Sequence, residues 1–350
     1  MSFKAKVNQY RRKIMRSLTG DIGKDSLNKI NNNEVLKLDK VLVSRPNHRL
    51  GNTLLITPLI QEIIAYNPQV KIDLFVKGRV TPIIFENYPQ IDQIIMLPKK
   101  PLKELGAYLK GWSKLKKKKY DLVINVEKGS SSGKISTNMA RAKHKLFGEE
   151  FISDTRQEIQ LHQAQYPVYQ FRKFLELFGN EPNSNQVLSM NMKLTDKEKE
   201  KGKEILEGVT KNSDKKTLAF FTFATGGKCY SEEWWTTFYE LFYPKYAEEY
   251  NLIEILPVEN ISMLQRRLPE FYSKDVREIA AVMYNCEIVV AADSGMMHLS
   301  CAAPTKTIGL FKSESFLERY KPYGNENAVV VAKDDNQQGV MKEIERLLSL

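Results

Sequence analysis

Short runs of β-branched and other apolar residues alternate along the chain with longer stretches whose apolar positions recur every three to four residues. That alternation is the signature of βαβ units built around a parallel sheet. In the first half it predicts strands at Val41–Ser44, Lys71–Val76, Gln93–Leu97, Asp121–Val126 and Lys145–Phe147, with helices near Thr53–Tyr66, Pro101–Lys117, Lys134–Ala142 and Tyr166–Phe178. The last helix stops at Gly179, a residue type suited to the positive φ that ends helices. The run Asn180-Glu181-Pro182-Asn183-Ser184-Asn185 follows, dense in turn formers, and reads as a linker. The second half restarts the pattern, with strands at Thr217–Phe223, Leu252–Leu256, Ile288–Ala292, Thr307–Phe311 and Ala328–Val331. Its helices fall near Glu232–Tyr250, with a break expected at Pro244, and at Asp275–Tyr284, Gly295–Ala302 and Val340–Leu348. The expected architecture is α/β, with two Rossmann-like αβα domains. A basic extension (1–39) precedes a first domain (40–180), a linker (181–195) and a second domain (196–350). Ligands of open parallel sheets bind beyond the carboxyl ends of the strands, so two such domains facing one another predict an interdomain cleft.

Composition supports two cores: the chain has 350 residues, 42% of them hydrophobic. No apolar run approaches the ~18–20 residues of a membrane span, and the N-terminus lacks a signal-peptide core, so a cytosolic protein is expected. Cys229, Cys286 and Cys301 are odd in number and have no CxxC spacing, which gives neither a zinc nor a disulfide framework. The net charge of +11 is unevenly placed. Residues 1–180 hold 32 Lys/Arg against 16 Asp/Glu, whereas residues 181–350 hold 21 against 26. One half therefore faces something anionic.

Four segments carry candidate chemistry. In Ala291-Ala292-Asp293-Ser294-Gly295-Met296-Met297-His298 a buried strand runs into a helix start, whose unpaired N–H groups suit a phosphate. Asp293 could orient sugar or ribose hydroxyls and Ser294 could contact phosphate. The bland alternative makes Asp293 or Ser294 a helix cap and His298 a satisfied half-buried ring. In Thr225-Gly226-Gly227-Lys228-Cys229-Tyr230-Ser231 a strand again leads through glycines to a helix capped by Ser231, and Lys228 stands in the loop as a phosphate partner or a solvated lysine. The segment Arg45-Pro46-Asn47-His48-Arg49-Leu50-Gly51-Asn52 brings His48, Arg49 and Asn52 to a strand-to-helix turn; without GxGxxG it is a weak dinucleotide site. Around Glu127-Lys128-Gly129-Ser130-Ser131-Ser132-Gly133-Lys134 the spacing fails for a P-loop, with Ile135 where Ser or Thr is needed. Glu127 nevertheless ends a strand on the same edge as His48.

Taken in order, RLGNTLLITPLIQEI, YDLVINVE and ADSGMMHLSCA resemble the bacterial glycosyltransferase family that includes the ADP-heptose:lipopolysaccharide heptosyltransferases, glycosyltransferase family 9. The resemblance implies a GT-B fold and inverting, metal-independent transfer without a cofactor. It places a nucleotide-sugar donor on the C-terminal domain and an acceptor, here a lipopolysaccharide-core or related surface glycan, on the N-terminal one. By position it makes Thr225, Lys228, Asp293, Ser294, Gly295 and His298 donor-binding, and Arg45 and Arg49 acceptor-binding. The family's Gly-Asp, whose aspartate is the presumed base, is Gly51-Asn52 here, and a neutral amide cannot take that proton. Met296 also replaces a common proline. Three explanations stand: His48 is the base, Glu127 is the base, or the protein binds a nucleotide sugar or glycan and is catalytically silent.

Most of the positive charge lies in residues 1–40, with 10 bases against 4 acids, and in residues 99–119, with nine lysines against one glutamate. Gln9–Leu18 and Leu102–Leu115 each have the spacing of a basic amphipathic helix. They suit peripheral contact with the anionic cytoplasmic leaflet of an inner membrane and steering of an acidic glycolipid acceptor. The alternative is that these lysines are simply solvated. No nucleic-acid reader motif accompanies the charge, so nucleic acid is not expected as a partner.

Overall fold

The computed structural model describes residues 10, 13–15, 17–24, 26, 35–100, 103–151, 161–181, 184, 186–212, 214–324, 326–332 and 336–350. The first half runs β1 (Lys40–Arg45), α1 (Leu50–Leu54), α2 (Thr57–Tyr66), β2 (Lys71–Lys77), α3 (Thr81–Ile84), β3 (Ile91–Leu97), α4 (Leu105–Lys114), β4 (Lys119–Asn125), α5 (Ser131–Met139), β5 (Arg141–Leu146) and α6 (Tyr166–Glu176). The second half runs α7 (Asp196–Thr210), β6 (Thr217–Phe221), α8 (Glu232–Tyr246), β7 (Asn251–Ile255), β8 (Glu270–Phe271), α9 (Val276–Tyr284), β9 (Ile288–Ala292), α10 (Gly295–Ala302), β10 (Lys306–Phe311), α11 (Leu317–Tyr320), β11 (Ala328–Val331) and α12 (Gln337–Leu348). Two all-parallel sheets result, ordered β3-β2-β1-β4-β5 and β11-β10-β9-β6-β7-β8. Their central strands are buried on both faces, as in β6 and β9, because helices cover each side; continuous rather than alternating apolar runs encode this.

Several elements depart from the expected ones for local reasons. The helix expected over Thr53–Tyr66 is two helices, since Pro58 has no N–H for the Leu54 carbonyl; the Thr57 hydroxyl donates to that carbonyl instead, at 2.8 Å. Conversely, α8 does not break at Pro244. The proline falls in the last turn on the exposed side, where the Glu240 carbonyl it leaves unbonded can meet water. Helix α5 starts earlier than expected, capped by Ser130, whose Oγ accepts from the Gly133 N–H at 3.1 Å. Strand β5 begins at Arg141, ahead of the expected Lys145, because as an edge strand it alternates polar and apolar positions. Helix α6 ends near its expected place, and the chain reverses at Gly179 with φ +71.

The halves meet through one apolar cluster that draws on both sheets, joining Val43, Leu59, Met190 and Met192 to Ile279, Val289, Met297 and Leu299. Arg277 of α9 is the polar counterpart of this junction. Its guanidinium pairs with Glu198 of α7 and donates to the carbonyls of Ile83 (3.0 Å), Met192 (3.3 Å) and Lys193 (3.2 Å). Burial works to raise the Glu198 carboxyl, but bonds from Arg277 and Thr195 overcome it and bring the group down to about 2.

Three described residues of the N-terminal extension, Thr19, Gly23 and Ser26, contact the first domain. Thr19 Oγ1 lies 3.0 Å from Ser131 Oγ, Ser26 Oγ donates to Glu150 at 3.2 Å, and Gly23, at φ +90, backs onto the Phe147 ring where a Cβ would not fit.

Candidate functional site

Each sheet has one point where strand order reverses, β1/β4 in the first and β6/β9 in the second, and ligands of this architecture bind there. The candidate residues lie at those strand ends, on the loops that leave them, or in the first turn of the helix that follows.

At the second switch point, β9 ends at Ala292 and Asp293 anchors the turn by donating its N–H to Leu310 O at 2.9 Å. Ser294 is the N-cap of α10, its Oγ accepting from the Met296 N–H at 3.3 Å. The other N–H groups of that first turn have no intrahelical acceptor. Across the switch point, Thr225 precedes a single 3₁₀ turn, Gly226–Lys228, which brings Lys228 Nζ to 2.6 Å from Asp293 Oδ2. The lysine is largely exposed and the aspartate half-buried, so the pair rims an open edge. Ser231 caps α8 as expected, and Trp234 and Trp235 are core residues.

The two motif helices touch. A Cβ on Gly51 of α1 would stand 2.6 Å from His298 Cδ2 and 3.4 Å from the Gly295 Cα, and one on Gly295 would stand 3.2 Å from the Gly51 N. Close approach of α1 to α10 therefore requires glycine at position 51 and leaves little room for a side chain at position 295. His298 lies beneath this contact, buried, with Nδ1 unpartnered. Burial, aided by His162 and Lys228, pushes the ring down to about 3, so it is neutral. The structure thus places His298 as packing under Gly51 and not on the open rim with Lys228 and Asp293.

At the first switch point, Arg45 ends β1 and is only 3% exposed. Its guanidinium pairs with Glu127, just past the end of β4, and burial lowers it to about 10. Arg319 of α11 reaches over from the second domain, donating from Nη2 to Glu127 Oε1 at 3.2 Å and from Nε to Gln163 Oε1 at 2.7 Å. Glu127 is therefore engaged by two guanidinium groups from opposite domains, and Arg45 does not present a cation to the cleft.

Arg49 is the N-cap position of α1 and is exposed; Asn52 is the third residue of that helix. The Asn52 amide makes no hydrogen bond among the described residues. His48 is exposed on the same turn, against Gly78 (φ +85) and the Lys99 side chain. Partial burial, then Lys77, Lys99 and Arg49, lower its pKa, which keeps the ring neutral and able to accept a proton at neutral pH.

Several residues at this junction were not anticipated. His162 Nδ1 accepts from the Ala164 N–H at 3.1 Å, so its proton is on Nε2, which donates to Lys321 O at 2.9 Å; the ring stacks on Tyr323 and burial lowers it to about 4. His162, Gln163 and Arg319 carry no local motif. The Glu198 that holds Arg277 did have one, the Thr195-x-x-Glu198 capping box at the start of α7.

Residues 274–348, which include β9 and α10, match the model of Glycosyltransferase family 9 (heptosyltransferase), as the sequence motifs implied. Solved structures extend the likeness to the whole fold. A family 9 glycosyl transferase from Veillonella parvula DSM 2008 superposes with a TM-score of 0.68 at 18% identity, covering 91% of this chain and 99% of that one. The E. coli heptosyltransferase WaaC with ADP gives 0.66 at 16% identity, covering 88% and 99%. E. coli ADP-heptose lps heptosyltransferase II gives 0.63 at 14%, covering 88% and 98%. The architecture is the GT-B arrangement of two parallel-sheet domains. No curated protein sequence matches the chain.

Proposed function

We propose that the protein is an inverting, metal-independent glycosyltransferase moving a sugar, such as heptose from ADP-heptose, onto an acidic glycan of the lipopolysaccharide-core kind at the cytoplasmic face of an inner membrane. Residues 196–350 hold the donor and residues 40–180 the acceptor, joined through 181–195. The observation that supports this most is the convergence of the two switch points, with α1 against α10 through Gly51 and Gly295 and the Lys228–Asp293 pair on the rim. The N–H groups at the start of α10 receive the donor diphosphate, Ser294 and Gly295 lie against it, and Asp293 holds donor hydroxyls. Lys228 offsets the charge that builds on the diphosphate as its bond to the sugar breaks. The acceptor hydroxyl attacks the anomeric carbon from the opposite face and gives its proton to His48. Glu127 is the poorer base because both its neighbours are guanidinium groups.

A second reading, a catalytically silent binding protein of the same fold, is favoured by Asn52 in place of the aspartate. Incubating the protein with a panel of nucleotide sugars, with and without glycolipid acceptors, separates the two. Acceptor-dependent release of nucleoside diphosphate supports transfer; donor binding with no release for any acceptor supports silence.

A further inference from the structure

We infer that Phe316, on the loop between β10 and α11, recognises the sugar of the nucleotide-sugar donor by stacking on its apolar C–H face; this rests on the donor site proposed above. Two properties set the residue apart. Its backbone has φ +64 and ψ 14, the left-handed region that a bulky side chain rarely adopts. Among the described residues, the other non-glycine residues with positive φ are all polar or charged. Its ring is 72% exposed, so no burial in the core accounts for that conformation. A lone exposed aromatic is ordinary on a protein surface. One held in a conformation suited to glycine is not, and strained backbone of this kind collects at ligand sites.

The loop is fixed at both ends, and each end belongs to a different half of the site. Where it leaves β10, Leu310 O accepts the Asp293 N–H at 2.9 Å. The Lys312 ammonium lies 5.0 Å from the centre of the Tyr230 ring, and Tyr230 is two residues beyond Lys228. At the other end, Leu317 packs into the apolar cluster that joins the domains. Arg319 pairs with Glu127 of the first switch point, and its carbonyl accepts the Gln163 N–H at 2.9 Å. Phe316 is thus carried on a stretch of the second domain that runs from the donor rim to the acceptor edge.

The order of groups along the donor selects the one that Phe316 meets. With the diphosphate at the start of α10, the sugar points toward the first domain, where the acceptor hydroxyl arrives, and the nucleoside points away. The β10–α11 loop lies on the sugar side, because it reaches the first domain through Arg319. A pyranose carries hydroxyls around its edge and C–H groups on its faces. The hydroxyls suit Asp293, and the C–H groups suit the negative face of an aromatic ring. The contact ends once the sugar is transferred, so it favours the nucleotide sugar over the nucleoside diphosphate left behind.

The test is calorimetric binding of a panel of nucleotide sugars, ADP-heptose among them, and of the matching nucleoside diphosphates, to the wild type, Phe316→Gly and Phe316→Trp. For the nucleotide sugar that the wild type binds most tightly, Phe316→Gly should weaken affinity by about tenfold and Phe316→Trp should retain it. Affinity for the matching diphosphate should stay within about twofold in both. Glycine also relieves the left-handed strain, so the melting temperature of Phe316→Gly should be unchanged or higher by a few degrees. Loss of sugar recognition without loss of stability separates this role from a structural one. The inference is overturned if Phe316→Gly binds the nucleotide sugar as the wild type does, if it loses both ligands equally, or if its melting temperature falls by several degrees. A wild type that binds no nucleotide sugar overturns the inference and the transfer reading together. One that binds through Phe316 but never turns over loses the transfer reading alone.

Discussion

Replacing Gly51 with alanine pits two opposite effects against each other, and the structure decides between them. In an exposed helix interior the change stabilises by up to about 1 kcal/mol, because glycine loses more backbone freedom on folding. Here the added methyl would stand 2.6 Å from Cδ2 of the His298 ring, which is buried and cannot swing away, and 3.4 Å from the Gly295 backbone. Overpacking of this kind costs about 1–3 kcal/mol, so the net result is a loss of about 1–2 kcal/mol. Truncating the ring reverses the sign: in a His298→Ala background the methyl has room, and Gly51→Ala should then stabilise by up to about 1 kcal/mol. The two changes are thus coupled by about 2–3 kcal/mol. Urea midpoints of the wild type, both single variants and the double variant measure that coupling. The packing argument fails if Gly51→Ala alone leaves stability unchanged or raised, or if its increment is the same in both backgrounds.

Four further outcomes are expected. Lys228→Ala and Asp293→Ala should each weaken binding of ADP-heptose by about tenfold or more while leaving the melting temperature within a degree or two, as calorimetry and a thermal scan would show. Glu127→Gln strands the buried Arg45 guanidinium and should cost about 3 kcal/mol of stability, read from a denaturant curve. Folded-state values near 3 for His298 and 4 for His162 lie below the unfolded value of 6.5, so the stability these rings contribute is fully present above about pH 6.5 and is lost as pH falls. Between pH 6.5 and 5 the loss should be about 2 kcal/mol per ring, and His162→Phe should shrink it. Asn52→Asp restores a carboxylate at the third residue of α1; a rise in turnover over wild type would show that a stronger base at this place helps, and an unchanged rate would assign proton removal elsewhere.

What the sequence revealed and what it hid follow from how far each feature's determinants are spread along the chain. Strands β6 and β9 were legible because central parallel strands are buried on both faces and therefore read as unbroken apolar runs. The turn from Ala292 through Ser294 into α10 was legible because cap, glycine and helix are contiguous. Helix α7 was missed: its sequence, DKEKEKGKEILEGVT, is mostly solvated and has few apolar positions, so only the capping box at Thr195 and Glu198 announced it. The contact from Arg319 to Glu127 spans 192 residues and joins two domains; no local pattern encodes it. Arg45 illustrates the same limit, since an arginine at a strand end reads as a cleft cation until its burial and its partner are seen.

The question of the base narrows once charges are placed around each candidate. Glu127 lies between Arg45 and Arg319, and a proton landing there would break two charge-assisted contacts, one of them to a buried guanidinium that has no other carboxylate beside it among the described residues. His48 stands among Lys77, Lys99 and Arg49, which disfavour its cationic form. That environment keeps the ring ready to accept a proton but also resists its holding one, so His48 gains availability and loses basicity. The compensation lies in the substrate. An acidic acceptor seated against the same lysines would offset their charge, and the ring beside them would become a stronger base when the acceptor arrives than when the site is empty. Under this logic the pH profile of turnover should differ between acceptors. The acidic limb for an acidic acceptor should fall at higher pH than for a neutral analogue, and His48→Gln should abolish the difference. Identical limbs for the two acceptors would remove His48 from the chemistry.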